Sequence, residues 1–159
     1  MIWNGWALLP FLIHNTIMMI DEFYYHHKRI LPRWEKLGHP ADTVTYIFCL
    51  GLVLFLPHQR WTILYLCVAL FSTLFVFKDM PIHAHYCSFG EKCLHGLMYF
   101  LHPLQLLILG VFHQQINIDS SDLIFFQKFL WVQFSLALLT CVYQIVYWNF
   151  GDASRKVVA

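Results

Sequence analysis

Three acidic residues lie four positions before a histidine in stretches that favour a helix: Glu22 and His26, Asp79 and His83, and Glu91 and His95. Residues four apart lie on one face of a helix, so each pair can direct a carboxylate oxygen and an imidazole nitrogen to one point. Metal sites in helical bundles are built from such pairs. A fourth pair, Glu35 and His39, is interrupted by Gly38 and followed by Pro40, and we expect no helix there.

The composition indicates a membrane protein. The 159 residues are 59% hydrophobic and 12% charged, and this charged fraction is about half that of soluble domains. The formal charge of +1 provides no basic surface for phosphates, which excludes nucleic acid as the main partner. We therefore predict a single all-α domain over residues 1–159, with the lipid bilayer as its surroundings.

Uncharged apolar runs long enough to cross a bilayer predict the helices of this domain. Proline suits the first turn of a helix, so Pro40 marks the start of the second span. We expect five membrane spans, at about residues 1–22, 41–57, 61–78, 92–112 and 125–149.

The basic residues that flank the spans predict the orientation. Eight lysines and arginines fall on one side of the membrane and two on the other. Because the more basic side faces the cytoplasm, we expect the amino terminus outside and the carboxyl terminus inside, in a bacterial inner membrane or an equivalent one. This topology brings all three acid–histidine pairs to the cytoplasmic face.

The pairs and the residues beside them supply the predicted metal ligands: Glu22, His26, Asp79, His83, His85, Glu91 and His95. His39 is a further candidate. Mixed carboxylate and imidazole donors suit iron, manganese or zinc. Their number exceeds the four ligands of a closed zinc site, so we expect a dinuclear iron centre, with zinc as the alternative. The sequence assigns no catalytic residue.

Two histidines lie deeper in the predicted spans. His102 follows His95 by seven residues and His14 precedes Asp21 by seven, which places each on the same helix face about 10 Å further into the membrane. Ionisable residues inside a membrane usually face the protein interior or a functional path. We expect His14 and His102 to bind a cofactor, with a haem between the first and fourth spans as one form, or to line a substrate path.

The cysteines permit another arrangement. A compact tetrahedral zinc site can be drawn from the residues between the third and fourth spans, namely His83, His85, Cys87 and Cys93. It leaves Glu22 and His26 unexplained. The three cysteines inside apolar runs are expected to be packed thiols.

The placement of the predicted ligands resembles that of the membrane-bound, histidine-rich di-iron oxygenases, desaturases and hydroxylases, whose ligands sit at the cytosolic ends of spanning helices. Those families share His-x3-4-His and His-x2-His-His boxes, to which His26-His27 and His83-Ala84-His85 come nearest here. The expected function is oxidation, hydroxylation or desaturation of a lipid-soluble molecule, with a reductase as electron donor. The alternatives are a zinc-dependent membrane hydrolase and a haem- or quinone-binding subunit of a membrane complex.

Overall fold

The computed structural model describes residues 5–28, 31–56, 59–115 and 121–151, and within these ranges the regular structure is helical. The α-helices are α1 (Leu9–Ile20), α2 (His26–Lys28), α3 (Arg33–Phe55), α4 (Thr62–Val76), α5 (Met80–Tyr86), α6 (Phe89–Gln115) and α7 (Ser121–Val146). Short 3-10 turns precede α1, α4 and α5, at Gly5–Leu8, Gln59–Trp61 and Phe77–Asp79. Two π turns, Asp21–Tyr25 and Tyr147–Gly151, follow α1 and α7.

Four helical segments are long and apolar enough to cross a membrane: Arg33–Phe55, Thr62–Tyr86, Phe89–Gln115 and Ser121–Gly151. They overlap the second to fifth predicted spans, so the predicted all-α membrane bundle is confirmed, while the first predicted span is not among the four found in the described residues. The first predicted span contains α1 and its flanking turns. Residues 1–4 and 57, at the ends of the first and second predicted spans, lie outside the described residues.

The second span begins earlier than predicted. Helix α3 starts at Arg33 and runs through Gly38 and Pro40, so the expectation that Glu35 and His39 are not helical was wrong. A proline inside a helix costs about 3 kcal/mol because it lacks an N–H and its ring crowds the preceding turn. Glu35 and Pro40 are buried, and this tertiary packing overrides the local preference.

The helices pack in neighbouring pairs around an apolar core. Helix α3 contacts α4 and α7, while α6 contacts α1 and α4. The core lies towards one end of the bundle and includes Phe11, Leu50, Leu109, Phe112 and Phe126. Many large apolar side chains on the outer faces are exposed, as expected of helices that face lipid.

Buried polar contacts join the helices across the middle of the bundle. Thr45 Oγ1 of α3 lies 2.8 Å from Ser72 Oγ of α4, and that oxygen lies 2.9 Å from His102 Nε2 of α6. The Tyr46 hydroxyl donates to Gln105 Oε1 at 2.8 Å. These bonds fix the rotation of α3, α4 and α6 relative to one another and so direct their polar faces to one interior.

Candidate metal centre

The π turn at Asp21–Tyr25 brings two consecutive carboxylates to one histidine. The backbone N–H of His26 donates to the carbonyl of Asp21, five residues earlier, and this spacing defines the π form. As a result, Asp21 Oδ2 lies 3.1 Å from His26 Nε2, while Glu22 Oε2 lies 3.6 Å from His26 Nδ1. In a regular helix the residue four positions before His26, Glu22, would face it. The wider π turn also brings the residue five positions before it, Asp21, next to His26.

Asp21 also joins α1 to α6. Its Oδ2 lies 3.1 Å from His95 Nε2 as well as from His26 Nε2. All three side chains are buried and their ligand atoms lie within 4.8 Å of one another. We call Asp21, His26 and His95 the Asp21 group.

Glu22 is held by hydrogen bonds from α7 and its π turn. The Trp148 indole N–H donates to Glu22 Oε1, and Gln144 Nε2 donates to Glu22 Oε2 at 3.1 Å. Thr43 of α3 in turn donates to Gln144 Oε1 at 2.9 Å. Both oxygens of Glu22 are thus engaged by α7 and its π turn, and Oε2 lies near His26 Nδ1 but beyond hydrogen-bond distance, at 3.6 Å.

A second set of donors, the Asp42 group, comprises His39, Asp42 and Asp79, whose ligand atoms also lie within 4.8 Å of one another. The Lys78 ammonium donates to Asp42 Oδ2 at 2.6 Å and to Asp79 Oδ2 at 2.9 Å. The indole N–H of Trp34 donates to Asp79 Oδ1 at 2.9 Å. The ring centroids of His39 and His26 are 4.7 Å apart, so the Asp42 group adjoins the Asp21 group.

A third set, the thiol group, comprises His83, Cys87 and His95, and all three residues are buried. His83 Nδ1 lies 3.3 Å from His95 Nδ1. His83 Nε2 lies 3.7 Å from Glu35 Oε1 on α3. His95 therefore belongs to two groups, one on each side of its ring.

The structure brings four of the seven predicted ligands into these groups, namely His26, Asp79, His83 and His95. Glu22 contacts His26, as described above. Glu91 is buried but belongs to none of the three groups formed by the described residues. His85 is exposed, with its Nδ1 2.9 Å from the Pro81 carbonyl oxygen.

Of the alternative tetrahedral site, His83 and Cys87 share a group with His95, whereas the exposed His85 and Cys93 belong to none of the groups formed by the described residues.

Sequence reasoning missed two donors, Asp21 and Asp42, and set aside Glu35. One available signal was the spacing of four that runs without interruption through residues 79, 83, 87, 91 and 95. It includes Cys87, which had been considered only for a separate zinc site. Asp21 had no such signal, because its contact with His26 depends on the π turn.

Buried carboxylates give the centre an excess of negative charge. Asp21, Glu22 and Asp79 are each 3% exposed, and the Asp42 side chain is 19% exposed. Within the described part of the chain, Lys78 is the one lysine or arginine in contact with these four carboxylates. Burial acts to lower the pKa of His26, but contacts with Asp21 and Glu22 outweigh it and raise that pKa to about 10. Uncompensated buried charge is costly, so this interior favours bound cations.

Several donor atoms in the centre also lack a hydrogen-bond partner. Asp21 Oδ1, His39 Nε2 and Asp42 Oδ1 are buried without one. Each such atom costs about 1–3 kcal/mol. A bound ion would recover this free energy.

A cavity of about 240 Å³ extends from the centre into the bundle. His39, Asp79, His83 and His95 line one part of it, and His14 and His102 line another. Between them the walls include Met18, Val76, Met98, Leu136 and Ala137.

The two deeper histidines approach each other, since their ring centroids are 6.1 Å apart. Nε2 of His102 is engaged by Ser72. Cofactor binding by His14 and His102 stays a prediction.

Comparison with protein-family models, curated proteins and solved structures finds no match to this chain. The donor groups and the adjoining cavity are the observations from which we infer function.

Proposed function

We propose that this protein is a membrane metalloenzyme in which the Asp21 and Asp42 groups bind two metal ions, most plausibly iron. The reaction is oxidation, hydroxylation or desaturation of a lipid-soluble molecule held in the adjoining cavity. One observation carries the proposal: two groups of imidazole and carboxylate donors lie next to each other and open on the same cavity.

The donor spacing fits metal coordination. Two ligand atoms each about 2.0–2.1 Å from an ion lie about 2.9 Å apart at an octahedral angle and about 3.3 Å apart at a tetrahedral one. Asp21 Oδ2 lies 3.1 Å from the imidazole nitrogens of both His26 and His95, between these two values. Imidazole and carboxylate together suit ferrous iron, and they also suit manganese and zinc.

Charge supports more than one cation. With His26 protonated, as its raised pKa implies for the empty centre, the four carboxylates, Lys78 and His26 carry a formal charge of −2. An ion at the Asp21 group displaces the His26 proton, so one divalent ion gives −1 and two give +1, each nearer neutrality than the empty centre. The second ion would bind at His39 Nε2 and Asp42 Oδ1, the atoms that lack partners.

Each part of the centre has a distinct role in this proposal. Iron held by these residues would supply the redox chemistry for molecular oxygen, with a reductase as the electron donor. Glu22 Oε2 lies 3.6 Å from His26 Nδ1, and a small approach would let it accept the Nδ1 proton and orient His26, which leaves Nε2 for the ion. The apolar walls exclude water and accept a hydrocarbon chain.

The polar inner part of the cavity suggests how the substrate is oriented. His14, Asn15, His102, Gln133 and Thr140 all line the cavity. They can hold a polar group of the substrate, while an apolar segment lies beside the donor groups. A molecule with both features enters from the bilayer, which dissolves it.

Metal analysis tests the proposal directly. Purified protein should contain iron, and His26→Ala should lose metal because the Asp21 group then lacks one of its three donors. His113→Ala is the matched control, since His113 is also buried but bonds the Leu56 carbonyl at the other end of the bundle. Equal metal loss in both variants would indicate general destabilisation and contradict the assignment.

Oxygen dependence tests the reaction class. Admitting air to the reduced iron protein should consume oxygen and change its absorption spectrum, and lipid extracts of expressing cells should contain a new oxidised or desaturated species. Zinc as the sole metal, with activity that persists without oxygen, would refute the oxidase proposal.

That result would favour the second candidate, a zinc-dependent hydrolase. The Asp21 group provides two histidines and one carboxylate, a set found in catalytic zinc sites, where water occupies the fourth position and its pKa falls to about 7. Asp42 Oδ1, which lacks a partner, is available as the general base.

A further inference from the structure

We propose that the thiol group is a metal site in its own right, which binds zinc or another thiophilic divalent ion through His83, Cys87 and Nδ1 of His95. The inference rests on the proposed function and extends it, because the thiol site shares His95 with the Asp21 group. It assigns a role to Cys87, which the proposed iron centre does not use.

The two histidines are close enough to reach one ion after their rings turn, since the ring centroids are only 3.7 Å apart in this structure. Their Nδ1 atoms are 3.3 Å apart and their ring planes are inclined by 86°. Two imidazole nitrogens bound to one tetrahedral zinc ion at about 2.0–2.1 Å lie about 3.3 Å apart. The ligand atoms of His83, Cys87 and His95 all lie within 4.8 Å of one another, so small side-chain adjustments bring the thiol sulfur to bonding distance.

The two ring nitrogens of His95 face different groups. Nε2 lies 3.1 Å from Asp21 Oδ2, and Nδ1 lies 3.3 Å from His83 Nδ1. When Nε2–H donates to Asp21, the lone pair on Nδ1 points to the thiol site, with Asp21 fixing the tautomer. Ions on both sides of the ring would require release of its remaining proton to solvent.

Cys87 determines which ions this site selects. Binding releases the thiol proton to solvent, and the resulting thiolate is a soft ligand that favours zinc over manganese. The Asp21 and Asp42 groups contain imidazole and carboxylate donors without sulfur. The chain therefore offers two kinds of coordination, joined at His95.

Cobalt(II) distinguishes these sites because a cobalt–thiolate bond gives a charge-transfer band in the near ultraviolet, whereas carboxylate and imidazole ligands do not. Metal-free protein in detergent is titrated with cobalt, and both the band and the bound equivalents are measured. Wild type should show the band, and Cys87→Ser should lose it. Cys93→Ser, which alters an exposed thiol, and Cys141→Ser, which alters a comparably buried one, should retain it.

The same titration separates this inference from the proposed function. His26→Ala should bind fewer equivalents yet keep the band, because His26 belongs to the Asp21 group. Cobalt binding without the band in wild type would refute the thiol site and leave the Asp21 site standing. A band that persists in Cys87→Ser would also refute it. Unchanged equivalents in His26→Ala would refute the Asp21 site instead.

X-ray absorption of zinc-loaded wild type requires no variant, so it tests the thiol site even if Cys87→Ser fails to fold. A sulfur neighbour at about 2.3 Å is expected. A shell containing nitrogen and oxygen without sulfur would overturn the inference.

Discussion

Replacing Lys78 by methionine tests whether a cation is required between Asp42 and Asp79. The ammonium donates to both carboxylates, at 2.6 and 2.9 Å, and the lysine side chain is 11% exposed. The ammonium also lies over the Phe75 ring, with Nζ 4.5 Å from the ring centroid. Methionine is an unbranched apolar side chain of similar length, so it fills much of the same space and removes the charge.

The expected cost follows from the burial of the two carboxylates. Removing one partner of a buried ion pair costs about 3–5 kcal/mol, because the remaining charge is left uncompensated. The Asp42 side chain is 19% exposed and that of Asp79 is 4% exposed, so solvent screens the first of them in part. We expect a loss near the lower end of that range, about 3 kcal/mol, when chelator is present.

Divalent metal should reverse much of this loss, because the ion then binds where the ammonium had been. A ligand at 100 times its dissociation constant stabilises the folded state by about 2.7 kcal/mol. The assay is unfolding of the detergent-solubilised protein in a titration with sodium dodecyl sulfate, followed by the helical circular dichroism signal, with and without metal.

Lys92→Met is the matched control, since Lys92 is exposed and donates to the Ala84 carbonyl at 2.7 Å. It should change stability by no more than about 0.5 kcal/mol. If Lys78→Met is as stable as wild type in chelator, the charge argument is refuted. If metal stabilises it no more than it stabilises Lys92→Met, the ion does not take the place of the ammonium between Asp42 and Asp79.

Three further predictions concern packing, positioning and topology. Gly110→Ala should destabilise the protein by about 1–3 kcal/mol through overpacking, because a Cβ at Gly110 would lie 3.0 Å from Tyr65 Cε1. A Cβ at Gly96 would have nothing within 4 Å, so Gly96→Ala should not destabilise the protein in the same unfolding assay. Trp148→Phe removes a buried hydrogen bond to Glu22. We expect the free energy of unfolding to fall by about 1.5–3 kcal/mol and metal to bind more weakly in isothermal titration. An unchanged metal affinity would show that Glu22 does not orient the centre. A reporter fused to the carboxyl terminus should be active in its cytosolic form, and activity of an external reporter would invert the proposed orientation.

The membrane bundle could be predicted from the sequence because apolar length alone determines which helices can span a bilayer. The predicted spans at 61–78 and 92–112 match α4 and α6 within a few residues. The approach of His26, Asp79, His83 and His95 also follows from their positions at the ends of these spans. The sequence shows which end of each helix carries the polar residues, and those ends meet at one side of the bundle.

The remaining donors depend on backbone features that local patterns do not reveal. Glu35 and His39 share a helix because burial of α3 overrides the preference of Pro40. Asp21 meets His26 because the intervening turn adopts the π form. In both cases tertiary packing selects a conformation that the intervening residues would not favour by themselves, and spacing rules for regular helices do not extend to it.

The π turn between Asp21 and His26 makes the exact residue count of this segment a constraint on the protein. Each residue of a helix advances the chain by about 100° around its axis. Deleting one residue within Asp21–Tyr25 would allow a more regular helix, yet it would rotate α1 by that angle relative to His26 and turn His14 away from His102. An insertion there would rotate α1 the opposite way. Substitutions on the lipid-facing surface of this segment are thus more readily accommodated than any change in its length.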